Sequence, residues 1–243
     1  KGIIFRGTCD NAIIRRNLIH SKDGNPGTTG QFAIHFTATA STSDNVYINN
    51  NIVYSFRETT GDSVSGINTG PCSATAYIYN NTVYNLETQA NNYKAIGFRY
   101  TNNSAYTANV KNNIAALMTA PQASDAIGFF KGASGATTPA NFNCTDDSIT
   151  TSAYKAPGAD SLQDKTLSEI DFVTSTPGSE DLHLDTSSVC RKAGTDLGTG
   201  QEVNIDIDGV DRDATGVTWD IGADQASTAD TATGNPAFLM FMD

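Results

Sequence analysis

The chain has 243 residues, 38% hydrophobic and only 17% charged, with a formal net charge of −11 and an isoelectric point of about 4.5. That acidic balance excludes the basic footprint that nucleic acid requires, and no apolar run approaches the ~20 residues of a membrane span. Ile, Val, Tyr and Phe recur throughout among Asn, Thr, Ser, Gly and Ala, the composition of a turn-rich folded β protein of the extracellular kind.

Residues 1–5 already read as a strand, so a leader is expected to have preceded Lys1. From there to about residue 147 the chain repeats. Residues 13–20, 47–54, 77–84 and 109–116 share one pattern: apolar, any, polar, Asn, then apolar or Thr, then apolar. A degenerate copy spans 141–144. The common Asn falls at Asn17, Asn51, Asn81, Asn113 and Asn143, a period of roughly 30 residues. A second series runs in step through Ile4, Ile34, Ile67, Ile96 and Ile127.

Each unit reads as short strands of alternating apolar and polar residues between turns, with no sustained helical period. No unit can bury its apolar side alone, whereas stacking them builds a continuous core. The expected fold is all-β: a single-stranded right-handed parallel β-helix (a β-solenoid), with an irregular C-terminal cap and an extended tail. Coils are expected over 1–147, the last coil and cap over 148–225, and a linker with an apolar tail over 226–243. Equivalent residues in such a stack lie above one another. The repeated Asn therefore suits a bend that needs left-handed φ, and its amide can hydrogen-bond up the column. The alternative is a polar stripe for a ligand. The column resembles the asparagine ladder of the pectate-lyase-like superfamily.

After residue 148 the repeat gives way to Ile170-Asp171-Phe172-Val173, Asp181-Leu182-His183-Leu184, Ala193-Gly194-Thr195-Asp196, Asp206-Ile207-Asp208-Gly209-Val210-Asp211-Arg212 and Asp220-Ile221-Gly222-Ala223-Asp224-Gln225. This series resembles the C-terminal end of a large family of bacterial and archaeal surface β-helix proteins, although Gln225 stands where that family usually carries Glu. The resemblance implies architecture and a cell-surface or extracellular location more than an activity. Arg212 can take a carboxylate through two parallel hydrogen bonds, with Asp206, Asp208 and Asp220 as candidates, so clamping a cap over the last coil; Asp224 belongs to the same motif. Asp206-x-Asp208-Gly209 is also a weak Ca²⁺ loop, since counting from Asn204 puts Thr215 where an EF-hand needs Glu. No other cofactor is expected.

In the tail, Phe238, Leu239, Met240, Phe241 and Met242 either pack back on the chain or add as a strand to a second copy, linking subunits end to end into a fibre. Of the four cysteines, Cys9 and Cys72 occupy equivalent coil positions too far apart to pair, while Cys144 and Cys190 are candidates for a disulfide.

The strongest cluster for lyase chemistry, a base beside cations, is Arg15, His20, Lys22 and His35 in the first units; ordinary solvated side chains are the alternative. Asp146 and Asp147 are the nearest approach to a hydrolase pair. His183, in a Leu-His-Leu strand, reads as structural. The expected function is a structural or adhesive extracellular solenoid. Surface glycans are possible partners, and enzymatic activity is not favoured. The alternative is a polysaccharide lyase, a glycoside hydrolase or a carbohydrate-binding module on the same scaffold.

Overall fold

The computed structural model describes residues 2–6, 11–21, 31–37, 45–59, 61–69, 75–100, 107–132, 139–214 and 218–226. Each coil supplies three strands in chain order. The first carries β1 (Ile3–Arg6), β2 (Ala12–Arg15) and β3 (Leu18–His20); the second β4 (Gln31–Thr37), β5 (Asn45–Asn49) and β6 (Ile52–Glu58). The third has β7 (Val64–Thr69), β8 (Thr75–Tyr79) and β9 (Thr82–Thr88); the fourth β10 (Ala95–Tyr100), β11 (Thr107–Lys111) and β12 (Ile114–Thr119). The next has β13 (Ala126–Lys131), β14 (Ala140–Asn141) and β15 (Cys144–Asp146), followed by β16 (Leu162–Lys165). They pair in parallel into three sheets, β1-β4-β7-β10-β13, β2-β5-β8-β11-β14 and β3-β6-β9-β12-β15-β16. The chain is a parallel β-solenoid, and no helix among the described residues is long and apolar enough to cross a membrane.

Alternation along each strand sends one residue in two to the common interior. In the first sheet Ile3, Ile34, Ile67, Phe98 and Phe129 align in one column. The Phe98 and Phe129 rings stack at 4.9 Å. Burying each such side chain contributes roughly 1.5–3 kcal/mol against the entropy of ordering the chain. The pairing corrects the sequence alignment at both ends. Ile3, not Ile4, belongs with Ile34 and Ile67, because Ile4 lies opposite His35. Ile67 in turn faces Phe98, while Ile96 lies opposite Ser65 and Ile127, so Ile96 and Ile127 stand outside that column. The equivalence of Cys9 and Cys72 rested on Ile4, and both cysteines lie outside the described residues. Gly66 is a steric requirement: a Cβ there would meet Val83 Cγ1 at 2.6 Å.

The asparagine column is present throughout. Asn17 Nδ2 donates to Asn51 Oδ1 at 2.8 Å, Asn51 to Asn81 at 2.9 Å, Asn81 to Asn113 at 2.9 Å and Asn113 to Asn143 at 3.0 Å. The left-handed bend falls one residue earlier than the sequence reading placed it, at Arg16, Asn50, Asn80, Asn112 and Phe142, with φ between 52° and 56°. Each Asn-Asn pair thus divides two tasks. The first residue turns the chain and faces outward; the second closes the ladder.

Residues 149–165 do cover the last coil: Ile149 and Ala156 join the interior core, Ala156 N donates to Thr145 Oγ1 at 3.2 Å, and β16 pairs with β15; beyond them the chain leaves the end of the stack. Helix α1 (Leu167–Ile170) starts in a capping box between Thr166 and Glu169, and leads to the antiparallel pair β17 (Phe172–Thr174) and β18 (Asp181–Leu184). From there the chain runs back along the outer side of the third sheet. Ile52, Tyr54, Tyr84, Ile114, Ala116 and Cys144 on that side form a second core with Ile170, Phe172, Leu182, Leu184, Cys190, Ile207, Ile221 and Ala223. The outward asparagines hold this flank. Asn80 Nδ2 donates to Val203 O at 2.9 Å, Asn112 Nδ2 to Thr195 O at 2.8 Å, and Thr195 N returns a bond to Asn112 Oδ1. Beyond residue 166 the chain is instead a lateral flank reaching the first coil, because an apolar outer sheet face had to be covered. Cys144 and Cys190 meet in that second core as free, buried thiols rather than a disulfide. Contact with Cys190 and burial push the Cys144 thiol well above its ordinary range.

Gly222 marks the tightest approach between flank and coil. Its φ is 109°, and a Cβ would lie 2.7 Å from Ile114 Cδ1. Gly222→Ala is expected to cost about 2–3 kcal/mol, from left-handed strain plus the displaced Ile114. Urea denaturation of the variant checks this; an unchanged midpoint would mean the flank yields freely.

Candidate functional site

Two features outside the coil interior combine partly exposed polar groups with a defined geometry. The first is a groove on the outer face of the second sheet. Strand alternation that buries Val46, Ile48, Ala76 and Ile78 points Tyr47, Asn49, Tyr77 and Tyr79 the other way. Register sets Tyr47 beside Tyr77 and Asn49 beside Tyr79. The Tyr47 and Tyr77 rings stack 4.8 Å apart at an angle of 7°, while Tyr79 meets Tyr77 edge to face at 5.8 Å. Stacked rings occupy one another's faces, so the groove presents ring edges and phenol hydroxyls. Leu197, Gly200, Gln201 and Val203 of the flank form the other wall, enclosing about 250 Å³.

Asn49 is the polar focus of this groove. It is 2% exposed, and its Nδ2 donates to Gln201 O at 3.3 Å. Its Oδ1 is buried with no hydrogen-bond partner among the described residues. A buried acceptor left unpaired costs roughly 1–3 kcal/mol, which a ligand hydroxyl would recover. Burial and the neighbouring phenols raise the Tyr79 pKa, and burial with Tyr77 raises that of Tyr47. Both therefore stay neutral hydroxyls that donate as well as accept. Arg15 and Arg16 close the first-coil end as ion pairs with Glu202, at 2.8 and 2.9 Å.

The second feature lies within the flank. Arg212 is fully buried, but where the sequence suggests a two-bond carboxylate clamp its guanidinium points into a ring of carbonyls. It reaches Gly222 O and Ala223 O at 2.9 Å, Asp224 O at 3.1 Å and Asp220 O at 3.4 Å, with Gln225 Oε1 and Asn50 Oδ1 at 3.3 Å. The carboxylates serve backbone amides instead. Asp206 accepts from Asp208 N, Val210 N and Gln225 N, and Asp220 from Lys192 N and Ala226 N. Burial lowers the Arg212 pKa, while the charges of Asp206, Asp224 and Asp220 oppose that. Of the two Ca²⁺ candidates, Asp206 is thus committed to turning the chain. Asp208 faces His183 instead, with Oδ2 2.7 Å from Nε2.

His183 lies among three carboxylates. Asp181 contacts Nδ1, Asp208 approaches Nε2, and Asp224, 6% exposed, accepts from Leu184 N at 2.9 Å. The Asp208 contact, helped by Asp224 and Asp181, raises the His183 pKa to about 10 despite burial. Burial raises Asp224 to about 6, against the pull of His183 and the Leu184 amide.

The residues considered for lyase chemistry are not brought together. Arg15 stands on β2, His20 on β3 stacked 5.0 Å over Tyr54, and His35 on β4 against Phe32, each in a different sheet. Lys22 and the tail residues Phe238, Leu239, Met240, Phe241 and Met242 lie outside the described residues. Asp146 is buried and accepts from Leu117 N and Ser148 Oγ, a structural carboxylate. Sequence reasoning missed Tyr47, Asn49, Tyr77 and Tyr79 as a group. Their signal was present: they hold outward positions of two aligned repeats, where polar residues alone would suffice. No protein-family model matches the chain, and no curated protein or solved structure matches it either.

Proposed function

We propose that the chain is an extracellular, adhesive β-solenoid that holds a short stretch of surface glycan in the tyrosine groove without cleaving it. The observation that carries the reading is the unpaired, buried Asn49 Oδ1 in a groove lined on one side by neutral phenols and on the other by Leu197, Gly200, Gln201 and Val203. A sugar matches this lining, because it brings hydroxyls that donate to Asn49 and bond the tyrosines, and C–H surface that packs on Leu197 and Val203. The volume is below the roughly 300–1,000 Å³ of enclosed small-molecule sites and suits a ring or two of an extended chain. The scattering of Arg15, His20 and His35 over three sheets favours binding over lyase chemistry. On this reading the coils belong with pectate-lyase-like scaffolds, and residues 206–225 with the terminal module of surface β-helix proteins. An acidic surface suits neutral glycans better than polyuronates.

Calorimetric titration with neutral and uronate oligosaccharides tests the proposal. The neutral series is expected to bind, and Asn49→Ala and Tyr77→Ala to weaken binding about 10–100-fold, the loss of one or two buried hydrogen bonds. The melting temperature of Asn49→Ala should fall only slightly, since the acceptor was unpaired and the one side-chain bond lost, Nδ2 to Gln201 O, is long at 3.3 Å. Absence of binding across the panel would refute the reading; new reducing ends or unsaturated products would replace it with the enzymatic alternative.

A further inference from the structure

The cluster around His183 has a second capacity, independent of the groove. Its parts come from three separate segments: β18, the turn at 206–209 and the final stretch before Ala226. One ligand atom each from His183, Asp208 and Asp224 falls within 4.8 Å of the others. The closest pair, Nε2 and Asp208 Oδ2, is 2.7 Å apart. In a tetrahedral zinc site, with bonds of about 2.0–2.2 Å, neighbouring ligand atoms stand about 3.4 Å apart. The closest pair stands nearer than that value and no pair is beyond 4.8 Å, so ligation asks for side-chain adjustments of an ångström or so rather than a refolded loop.

Two further details select a cation. Nδ1 of His183 is engaged by Asp181 Oδ1. A metal-binding histidine characteristically gives its other ring nitrogen to such a carboxylate, which fixes the ring and leaves Nε2 as the ligating atom. Nε2 is itself buried, and despite its closeness to Asp208 it makes no well-directed hydrogen bond among the described residues. A divalent ion there would be balanced by the two carboxylates. The half-exposed side, where Asp208 reaches solvent, leaves room for a water as fourth ligand.

We propose that His183, Asp208 and Asp224 bind one divalent transition-metal ion, with Asp181 orienting the histidine, so that the ion ties β18 to the last two segments of the flank. One imidazole and two carboxylates favour a borderline ion such as Zn²⁺ over Ca²⁺, which takes six to eight oxygens.

The test uses the full chain stripped with EDTA and titrated with ZnCl₂, MnCl₂ and CaCl₂ by calorimetry, with melting followed in parallel. One equivalent of Zn²⁺ is expected to bind and raise the melting temperature, with Ca²⁺ much weaker. His183→Ala should abolish binding. Asp181→Asn, a mild change that leaves every ligand in place, should weaken it about 10–100-fold at unchanged stoichiometry. Lack of saturable Zn²⁺ binding by the parent chain would overturn the proposal. So would Zn²⁺ binding that survives His183→Ala, or that is unaffected by Asp181→Asn. None of these outcomes depends on glycan binding.

Discussion

Replacing Arg212 with alanine is expected to release the C-terminal flank from the coils, at a cost of about 3–5 kcal/mol. The guanidinium is fully buried and supplies donors to four backbone carbonyls of residues 220–224 and to the side chains of Gln225 and Asn50. Alanine leaves those acceptors dry and strips the nearby cation from Asp206, Asp220 and Asp224. Removing one partner from a buried charge cluster is costly in this way because the remaining charges stay uncompensated. Arg212→Lys should be intermediate: it keeps the charge, but one ammonium cannot span the carbonyls that the planar fork reaches. The readout is built into the chain. Trp219 is the lone tryptophan, 2% exposed, with the Arg212 guanidinium 5.8 Å from its ring. Its fluorescence reports the flank, whereas far-ultraviolet dichroism reports chiefly the coils. In Arg212→Ala the fluorescence transition should move to lower urea and separate from the dichroism transition. Coincident, unshifted transitions would show that Arg212 does not hold the flank.

The second large effect concerns the middle of the asparagine column. Asn81 Nδ2 donates to Ile48 O, Tyr79 O and Asn113 Oδ1, and its Oδ1 accepts from both the backbone and the side chain of Asn51. All of this lies in the interior. Asn81→Ala leaves several buried groups unpaired at roughly 1–3 kcal/mol each, so a total near 3–5 kcal/mol is expected after relaxation. Asn17, partly buried at the first coil, donates to Arg15 O and Asn51 Oδ1 with fewer bonds at stake. Its alanine variant should cost about 1 kcal/mol. Asn81→Asp should be at least as damaging as alanine, since a carboxylate cannot donate to the two carbonyls and would face the Asn113 oxygen. Equilibrium denaturation of the three variants checks the gradient; equal losses at 17 and 81 would show that the ladder is not a buried cooperative column.

Much of this architecture is legible in the amino-acid order, because a solenoid converts sequence periodicity into spatial stacking. Asn17, Asn51, Asn81, Asn113 and Asn143 recur every 30–34 residues within one shared local pattern, and equal positions in successive coils must lie above one another, so the column follows from the repeat. Residue alternation likewise assigns Val46, Ile48, Ala76 and Ile78 to the interior and their neighbours to the surface. The one-residue slip at Ile4 shows the limit of that inference. In a run such as Gly2-Ile3-Ile4-Phe5 both phases are apolar, and only the observed pairing of Ile3 with Ile34 decides which phase faces inward.

What the aperiodic part does was decided by tertiary structure. The outward residues Ile52, Tyr54, Tyr84 and Ile114 are apolar on a face that alternation alone would leave to solvent. They are the legible sign that something covers the third sheet, though not of what covers it. The answer depends on contacts between residues more than a hundred positions apart, such as Asn80 with Val203 and Arg15 with Glu202, and no local pattern encodes such a pairing. The same non-local docking forms the wall over Tyr47, Asn49 and Tyr77, gathers Asp208 and Asp224 around His183, and turns Arg212 toward carbonyls rather than carboxylates. By itself the sequence determined the coil, its ladder and its inward faces, because these repeat and are set by short-range alternation. Where the flank lies, and hence both candidate sites, was settled only by burial of the outer apolar face, a property of the folded stack as a whole.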